Sequence, residues 1–307
     1  MARVAHSIVK AEKELGLDAV LVNPQDTSTW EAAKDADVHI SHTHFPDSLR
    51  KEFKGPVVWV SHGTPEHVFE TAVEQQLAGY GHHDAFMLAQ NWLRTADAMV
   101  TFWPRHKTLW DQMCHKGRET TLIPLGVDKS FWKPGQSKGK YSGTPSVFTC
   151  ENAHRIKWPL DLFYIWPWIR EELADAFLHC AYLPKDMHRW FFPLINANGC
   201  AYGSHISPTV FDHDNLKNAF YSTDFFIGLV RYGDFNRLCL EANACGSKTI
   251  SYRGNPYSDY WITEGDQREM AKELIAILKN EAEPREKDEV LDISETAKAM
   301  KGLYERL

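Results

Sequence analysis

The sequence has no apolar run approaching the ~18 residues that a membrane-spanning helix needs, and its amino terminus, MARVAHSIVKAEKELG, lacks the apolar core of a secretory signal. A soluble, cytoplasmic protein is expected on both counts. It has no C-x-x-C pair either. Cys114, Cys150, Cys180, Cys200, Cys239 and Cys245 are scattered, and at least Cys150, Cys180 and Cys239 fall in apolar runs, so they read as buried free thiols in a reducing compartment. An excess of positive charge is also missing. Net charge is -7 and the pI near 6.1, so the overall field repels nucleic-acid phosphates and anionic lipid. No internal repeat of short period is present.

What is there fits two α/β domains. At 307 residues the chain exceeds one ordinary core and matches two units of about 150 residues each, which implies a cleft between them. Trp 11, Tyr 11 and Phe 16 make the chain somewhat aromatic-rich, which reads either as core or as ligand-stacking surface. Short apolar runs alternate with amphipathic stretches: DAVLV (18–22), DVHIS (37–41), PVVWVS (56–61) and DAMVTF (97–102) are predicted as buried parallel strands. TLIPLGVD (121–128) closes this half with a strand and turn, and the Gly, Pro, Ser and Lys content of 134–145 predicts a linker. Beyond it, SVFTC (146–150), DAFLHCAYL (175–183), GCAYG (199–203), FFIGLV (225–230) and SKTISY (247–252) are predicted strands, with helices near 158–172, 184–197, 236–245 and 266–279. Domains are therefore expected at 1–133 and 146–290, with an amphipathic helix in 291–307 packing back on the first.

Chemistry concentrates where strands hand over to helices. After PVVWVS, Thr64 can cap a helix that opens with Pro65 and Glu66, which leaves His62 and Gly63 in the connecting loop. Such loops lie at the carboxyl edge of a parallel sheet, where ligands collect; His62 there either caps its helix or faces a ligand. In RYGDFNRLCLEANACGSKTISY (231–252) a strand runs into a Gly-Asp-Phe-Asn turn, a helix follows, and Gly246 stops it. The amides of Phe235, Asn236 and Arg237 open that helix and could hold a diphosphate, because helix N-termini carry donors and partial positive charge. Glu241, further along, is either a solvated carboxylate or the acceptor of both hydroxyls of a ribose.

These residues resemble the glycosyltransferase family-four group, whose signature reads roughly E-G-F-G-x-x-x-x-E-A-x-A-x-G. GDFNRLCLEANACG (233–246) is similar to it in divergent form: Glu241 falls on the ribose-binding second glutamate and Phe235 on the loop aromatic, while Gly233 stands where the first glutamate would be, with Asp234 beside it as a substitute. ENAHRIKWPLDLF (151–163) resembles the family's R-x-x-x-x-K-G segment: Lys157 matches the lysine, Asn152 replaces the arginine, and His154 or Arg155 supplies the charge. ADAMVTFWPRHKTLW (96–110), IPLGVD (123–128), HDNLKNAFYSTDFFIGL (213–229) and EGDQREMAKEL (264–274) follow in the family's order, so the likeness spans most of 56–279. The resemblance implies the GT-B fold, two Rossmann-like domains facing across a cleft, here with the first domain trimmed at its amino terminus. It also implies sugar transfer with retention from a nucleotide-sugar donor, UDP-sugar first and GDP-sugar second, with no prosthetic group and no metal. Lys157 and Arg155 then neutralise the leaving diphosphate, and His62 lies near the donor sugar. Gly233, Asp234, Phe235, Asn236, Arg237 and Glu241 hold the donor.

The acceptor is open. His42 and His44, in SHTH at another strand end, are candidates for its side, and a small molecule, a glycan or a hydroxymethylated cytosine in DNA all fit. For the last, Arg105, His106, Lys107, His115, Lys116 and Arg118 are either phosphate contacts or a solvated helix face. H-T-H and DHD (212–214) have the alternation of metal ligands, but DHD opens a helix and no third ligand is evident. Loss of the first glutamate admits a protein of another class, an inactive module that holds a nucleotide sugar without turnover. The aromatics of YIWPWI (164–169) and HRWFFPLI (188–195) recur at helical spacing and are expected mostly in the core.

Overall fold

The computed structural model describes residues 2–22, 33–42, 51–66, 96–113, 119–150, 160–181, 204–207 (backbone only), 211–231 and 236–307. Contacts divide the chain into two units, Met1–Asp128 with Leu291–Leu307, and Lys129–Val290.

The first unit carries α1 (Ala2–Glu14), β1 (His39–Ser41), β2 (Val57–Ser61), β3 (Ala98–Thr101), α2 (Pro104–Met113) and β4 (Thr121–Leu122). Its four strands are parallel in the order β1-β2-β3-β4. Burial along the whole of β2 explains its unbroken apolar reading, and Trp59 on it meets the fully buried Trp110 of α2 edge to face at 5.2 Å. DAVLV, in contrast, is not a strand: its backbone is irregular, and Val20 and Leu21 are 58% and 39% exposed. A short apolar run becomes a strand only where a neighbour supplies its ladder, and the described ladder of this sheet starts at β1.

The last helix, α7 (Ile293–Tyr304), belongs to this unit. Val127 bridges Asp292, the Gly126 amide donates to Thr296 Oγ1 at 2.8 Å, and that hydroxyl donates to the Pro124 carbonyl at 2.8 Å. A Cβ on Gly126 would overlap the Asp292 backbone, so the glycine of IPLGVD is what admits this segment. α1 packs on α7, and Tyr304 donates to Glu12 Oε1 at 2.6 Å. Burial raises the Glu12 carboxyl above its ordinary pKa, partly opposed by that hydrogen bond.

The second unit carries β5 (Ser146–Cys150), α3 (Leu160–Glu172), β6 (Phe177–Ala181), β7 (Ser204–Ser207), α4 (His213–Ser222), β8 (Phe225–Gly228), α5 (Arg237–Ala244), β9 (Lys248–Tyr252), β10 (Tyr260–Ile262) and α6 (Gln267–Leu278). Its six parallel strands run in the order β10-β9-β8-β5-β6-β7. The chain moves one way from β5 and then returns to the other side of it at β8, the doubly wound order whose switch point lies between those two strands. Register pairs Val147 with Phe225 and Phe148 with Phe226, so β5 and β8 run out side by side at Cys150 and Gly228.

Leu162, Phe163, Ile165, Trp166 and Ile169 of α3 are buried against this sheet's Val147, Leu178 and Ile227, each contributing about 1.5–3 kcal/mol by leaving water. In both sheets an acidic residue recurs just before a strand and receives the amide of the strand beside it. Asp97 takes Val57 N at 2.8 Å, Asp224 takes Ser146 N at 2.8 Å, and Asp259 takes Thr249 N at 2.8 Å. Each bond satisfies a strand-end donor and pins register.

The strand predicted at GCAYG (199–203) lies outside the described residues; β7, which begins at Ser204, and β10 were not anticipated. Both are edge strands, where apolar runs are short. The helix expected at 184–197 lies outside the described residues. Residues 133–145 run along α4: Tyr221 donates to the Lys133 carbonyl at 2.5 Å, Lys138 N to Asn218 Oδ1 at 3.0 Å and Tyr141 N to Ser222 O at 2.9 Å. Cys180, Cys239 and Cys245 are buried thiols and Cys150 is half-buried; Cys114 and Cys200 are outside the described residues. Among the described residues no helix is long and apolar enough to cross a membrane.

Candidate functional site

In the second unit β5 and β8 border the switch point, and the segments that follow these strands in sequence are the two that the sequence singles out. α5 starts at the second of them. Asn236 is its N-cap, extended at φ -99°, and its side chain accepts from Leu238 N at 2.9 Å. That cap sits against the end of β8, where any Cβ on Gly228 would collide with Asn236 Nδ2. The glycine thus lets the helix start almost on top of the strand. One first-turn amide is used internally by the cap.

Glu241 is 1% exposed, which rules out a solvated carboxylate. Its Oε1 lies 2.9 Å from Arg237 Nε, one turn earlier on the same helix. A carboxylate this buried requires a cationic or hydrogen-bonding environment, and Arg237 supplies part of it. Gly233, Asp234, Phe235, Arg155 and Lys157 lie outside the described residues.

A polar cluster that the sequence does not reveal lies at the same edge. Asp161 stands in the first turn of α3, Arg231 three residues past β8, and Tyr252 at the end of β9. Arg231 Nη2 donates to both Asp161 oxygens, at 2.9 and 2.8 Å, and the Tyr252 hydroxyl donates to Oδ2 at 2.5 Å. Burial, then the Asp161 charge, pushes the Tyr252 phenol far above its usual range. Burial works against the charge of Arg231, but its bonds to Asp161 more than offset this and hold it protonated.

In the first unit, His42 follows β1 and His62 follows β2, and the adjacency of these strands makes them a pair. His42 Nδ1 and His62 Nε2 are 2.9 Å apart, with ring centroids at 5.1 Å. Phe102 stands edge-on to His62 at 5.4 Å. The loop is fixed beneath them: Ser61 Oγ and Trp110 Nε1 both donate to the Gly63 carbonyl at 2.9 Å, and Pro65 and Glu66 are helical after Thr64. His44 lies outside the described residues.

Burial lowers the His42 pKa from 6.5 to about 4. The folded protein therefore holds this ring neutral while the unfolded chain takes up a proton near pH 6.5. The associated stability is complete above pH 6.5 and is lost as pH falls towards 4, by roughly 3 kcal/mol in all. Urea unfolding at pH 7 and pH 4.5 is expected to show most of this loss in the native chain and to lack it in His42→Gln. Equal pH slopes for the two proteins would refute the assignment.

Asp212 caps α4 by accepting Asn215 N at 2.7 Å, and His213 packs on Phe131 and Trp132 at 5.9 and 5.8 Å. Among the described residues no group of three or more His, Cys, Asp or Glu side chains is arranged to hold a metal. The described residues of the basic stretch do not share one face: His106 is 1% exposed, Lys107 pairs with Asp111 at 2.5 Å, and Arg105 is exposed. His115, Lys116 and Arg118 are outside the described residues. Trp166 is fully buried, whereas Trp168 is 39% exposed.

No family model and no curated protein matches the chain. Among solved structures it is similar to sucrose-phosphate synthase from Thermosynechococcus elongatus, with a TM-score of 0.66 and 16% identity over 84% of this chain and 69% of the synthase. It is similar also to HepE from Anabaena in complex with UDP and glucose, with a TM-score of 0.66 and 14% identity over 92% of this chain and 81% of that one. A glycosyltransferase from Rickettsia africae gives a TM-score of 0.63 and 12% identity over 99% of this chain and 94% of its own. At such identities the likeness carries the fold alone, and the fold is GT-B, with two Rossmann-like α/β domains.

Proposed function

We propose that the chain is a divergent relative of the family-four glycosyltransferases. It transfers a sugar from a nucleotide-sugar donor, UDP-sugar before GDP-sugar, to an acceptor hydroxyl, with retention and without metal, in the cytoplasm. The observation that carries this is Glu241: an almost wholly buried carboxylate on the helix that opens at the switch point of a doubly wound sheet. The Anabaena neighbour, which holds UDP and glucose, supports the choice of donor.

In this reading the diphosphate lies against the start of α5, and Glu241 accepts from the ribose hydroxyls. Lys157 and Arg155 neutralise the charge that grows as the sugar–phosphate bond breaks. The acceptor oxygen bonds to the anomeric carbon from the face the diphosphate leaves, and its proton passes to the departing phosphate. No protein nucleophile is required. His62, with His42 against it, stands by the donor sugar.

A thermal-shift series with UDP, GDP, ADP and their glucose conjugates, in EDTA throughout, tests the reading. A ligand bound at a hundredfold excess over its Kd stabilises by about 2.7 kcal/mol, so UDP is expected to raise Tm clearly and ADP not. No shift with any nucleotide overturns the reading. A shift by UDP-glucose with no slow release of glucose on incubation favours the inactive binding module.

A further inference from the structure

We infer that Asp161, Arg231 and Tyr252 are positioning residues. Together they form a clamp that fixes the distance between the two donor-binding segments across the switch point, and so governs the rate of transfer more than donor affinity. The inference rests on the donor site proposed above. Asp161 is the second residue after the segment 151–159, which carries Arg155 and Lys157, and Arg231 is the residue before 232–235. Their ion pair therefore ties the end of one segment to the start of the other. Tyr252, on β9, fixes the same carboxylate from a third strand.

Fold stability alone does not call for this arrangement. Well-packed apolar residues often replace a buried ion pair without loss, and the Asp161 and Arg231 side chains are only 9% and 31% exposed. What the ion pair adds is direction: one guanidinium nitrogen reaches both carboxylate oxygens while the phenol approaches one of them, so the carboxylate is held from two sides. A cation that stabilises a leaving diphosphate acts only from the right place, and a misplacement of about 1 Å costs rate steeply. In the proposed reaction Lys157 and the loop before α5 act on one diphosphate, and the clamp joins the residues that border their two segments in sequence, Asp161 and Arg231.

The test uses Asp161→Leu/Arg231→Met, which removes both charges together and leaves neither group buried alone, with Tyr252→Phe and Arg231→Lys beside it. Amide hydrogen exchange in 151–159 and 232–235 is expected to quicken about tenfold or more in the double variant while β5 and β8 keep native protection. UDP-sugar hydrolysis is expected to fall about 10–100-fold in kcat with KM changed less than about threefold. Tyr252→Phe should lie between, and Arg231→Lys should restore melting temperature but not kcat. Unchanged exchange in both segments overturns the clamp, whether or not the donor reading holds. Faster exchange with native kcat overturns its link to transfer. A native protein that binds no UDP fails the donor reading separately, and the exchange measurement still decides the clamp.

Discussion

Glu241→Ala is expected to weaken UDP binding by roughly 10–100-fold, because charge-assisted hydrogen bonds to a buried partner are worth about 1.5–3 kcal/mol. The same change breaks the pair with Arg237, whose side chain is 19% exposed, and stranding that guanidinium is expected to cost about 3 kcal/mol of stability. The two effects separate in Arg237→Leu/Glu241→Leu. Removing both charges recovers most of the stability, yet titration calorimetry with UDP should still record the weakened binding. Native UDP affinity in that folded double variant removes Glu241 from the donor site.

Lys157→Ala is expected to act on the other side of the kinetics, lowering kcat by about 10²–10³-fold with a much smaller change in UDP affinity. In the proposed reaction the reason is differential: the lysine would meet little extra charge in the bound donor but a growing negative charge as the diphosphate departs, and removing one such charge-stabilising group typically has an effect of this size. Lys157→Arg should retain part of the rate, since it keeps the cation at altered reach. UDP release from UDP-glucose, followed with and without acceptor candidates, gives the measurement. A Lys157→Ala enzyme with native kcat excludes the lysine from the reaction.

Much of the architecture is legible because parallel strands buried on both faces leave unbroken apolar runs. PVVWVS, SVFTC and FFIGLV are of this kind and became β2, β5 and β8. DAVLV has the same composition but no ladder, and composition alone does not distinguish the two. Edge strands such as β10, three residues long, are short and signal less. Helix starts have a local cause that the sequence reading used only at Thr64: Asn236, Asp212, Asp266 and Asp292 are side chains that accept first-turn amides, and each caps a helix.

The site divides along similar lines. Glu241 and Asn236 belong to one local segment, so a short motif is enough to find them. His42 and His62 are each visible as residues at strand ends, but their pairing depends on β1 lying beside β2, and strand order is not written in either segment. The Asp161 cluster is the extreme case, joining positions 70 and 91 apart in sequence. Taken singly, Asp161 is an ordinary first-turn acid, Arg231 an ordinary loop cation and Tyr252 an ordinary strand aromatic.

The seat that Gly126 makes for the Asp292 backbone has a consequence for synthesis. A ribosome releasing this chain completes the whole of 129–290 before it delivers the helix that the earlier unit needs. Until then α1, which carries the buried Val4, Ile8 and Ala11, lacks its packing partner α7, and an apolar helix face left open during translation is a place where chaperones bind or aggregation begins. The half that is made first is thus finished later than the half that follows it, and its maturation waits on the arrival of α7.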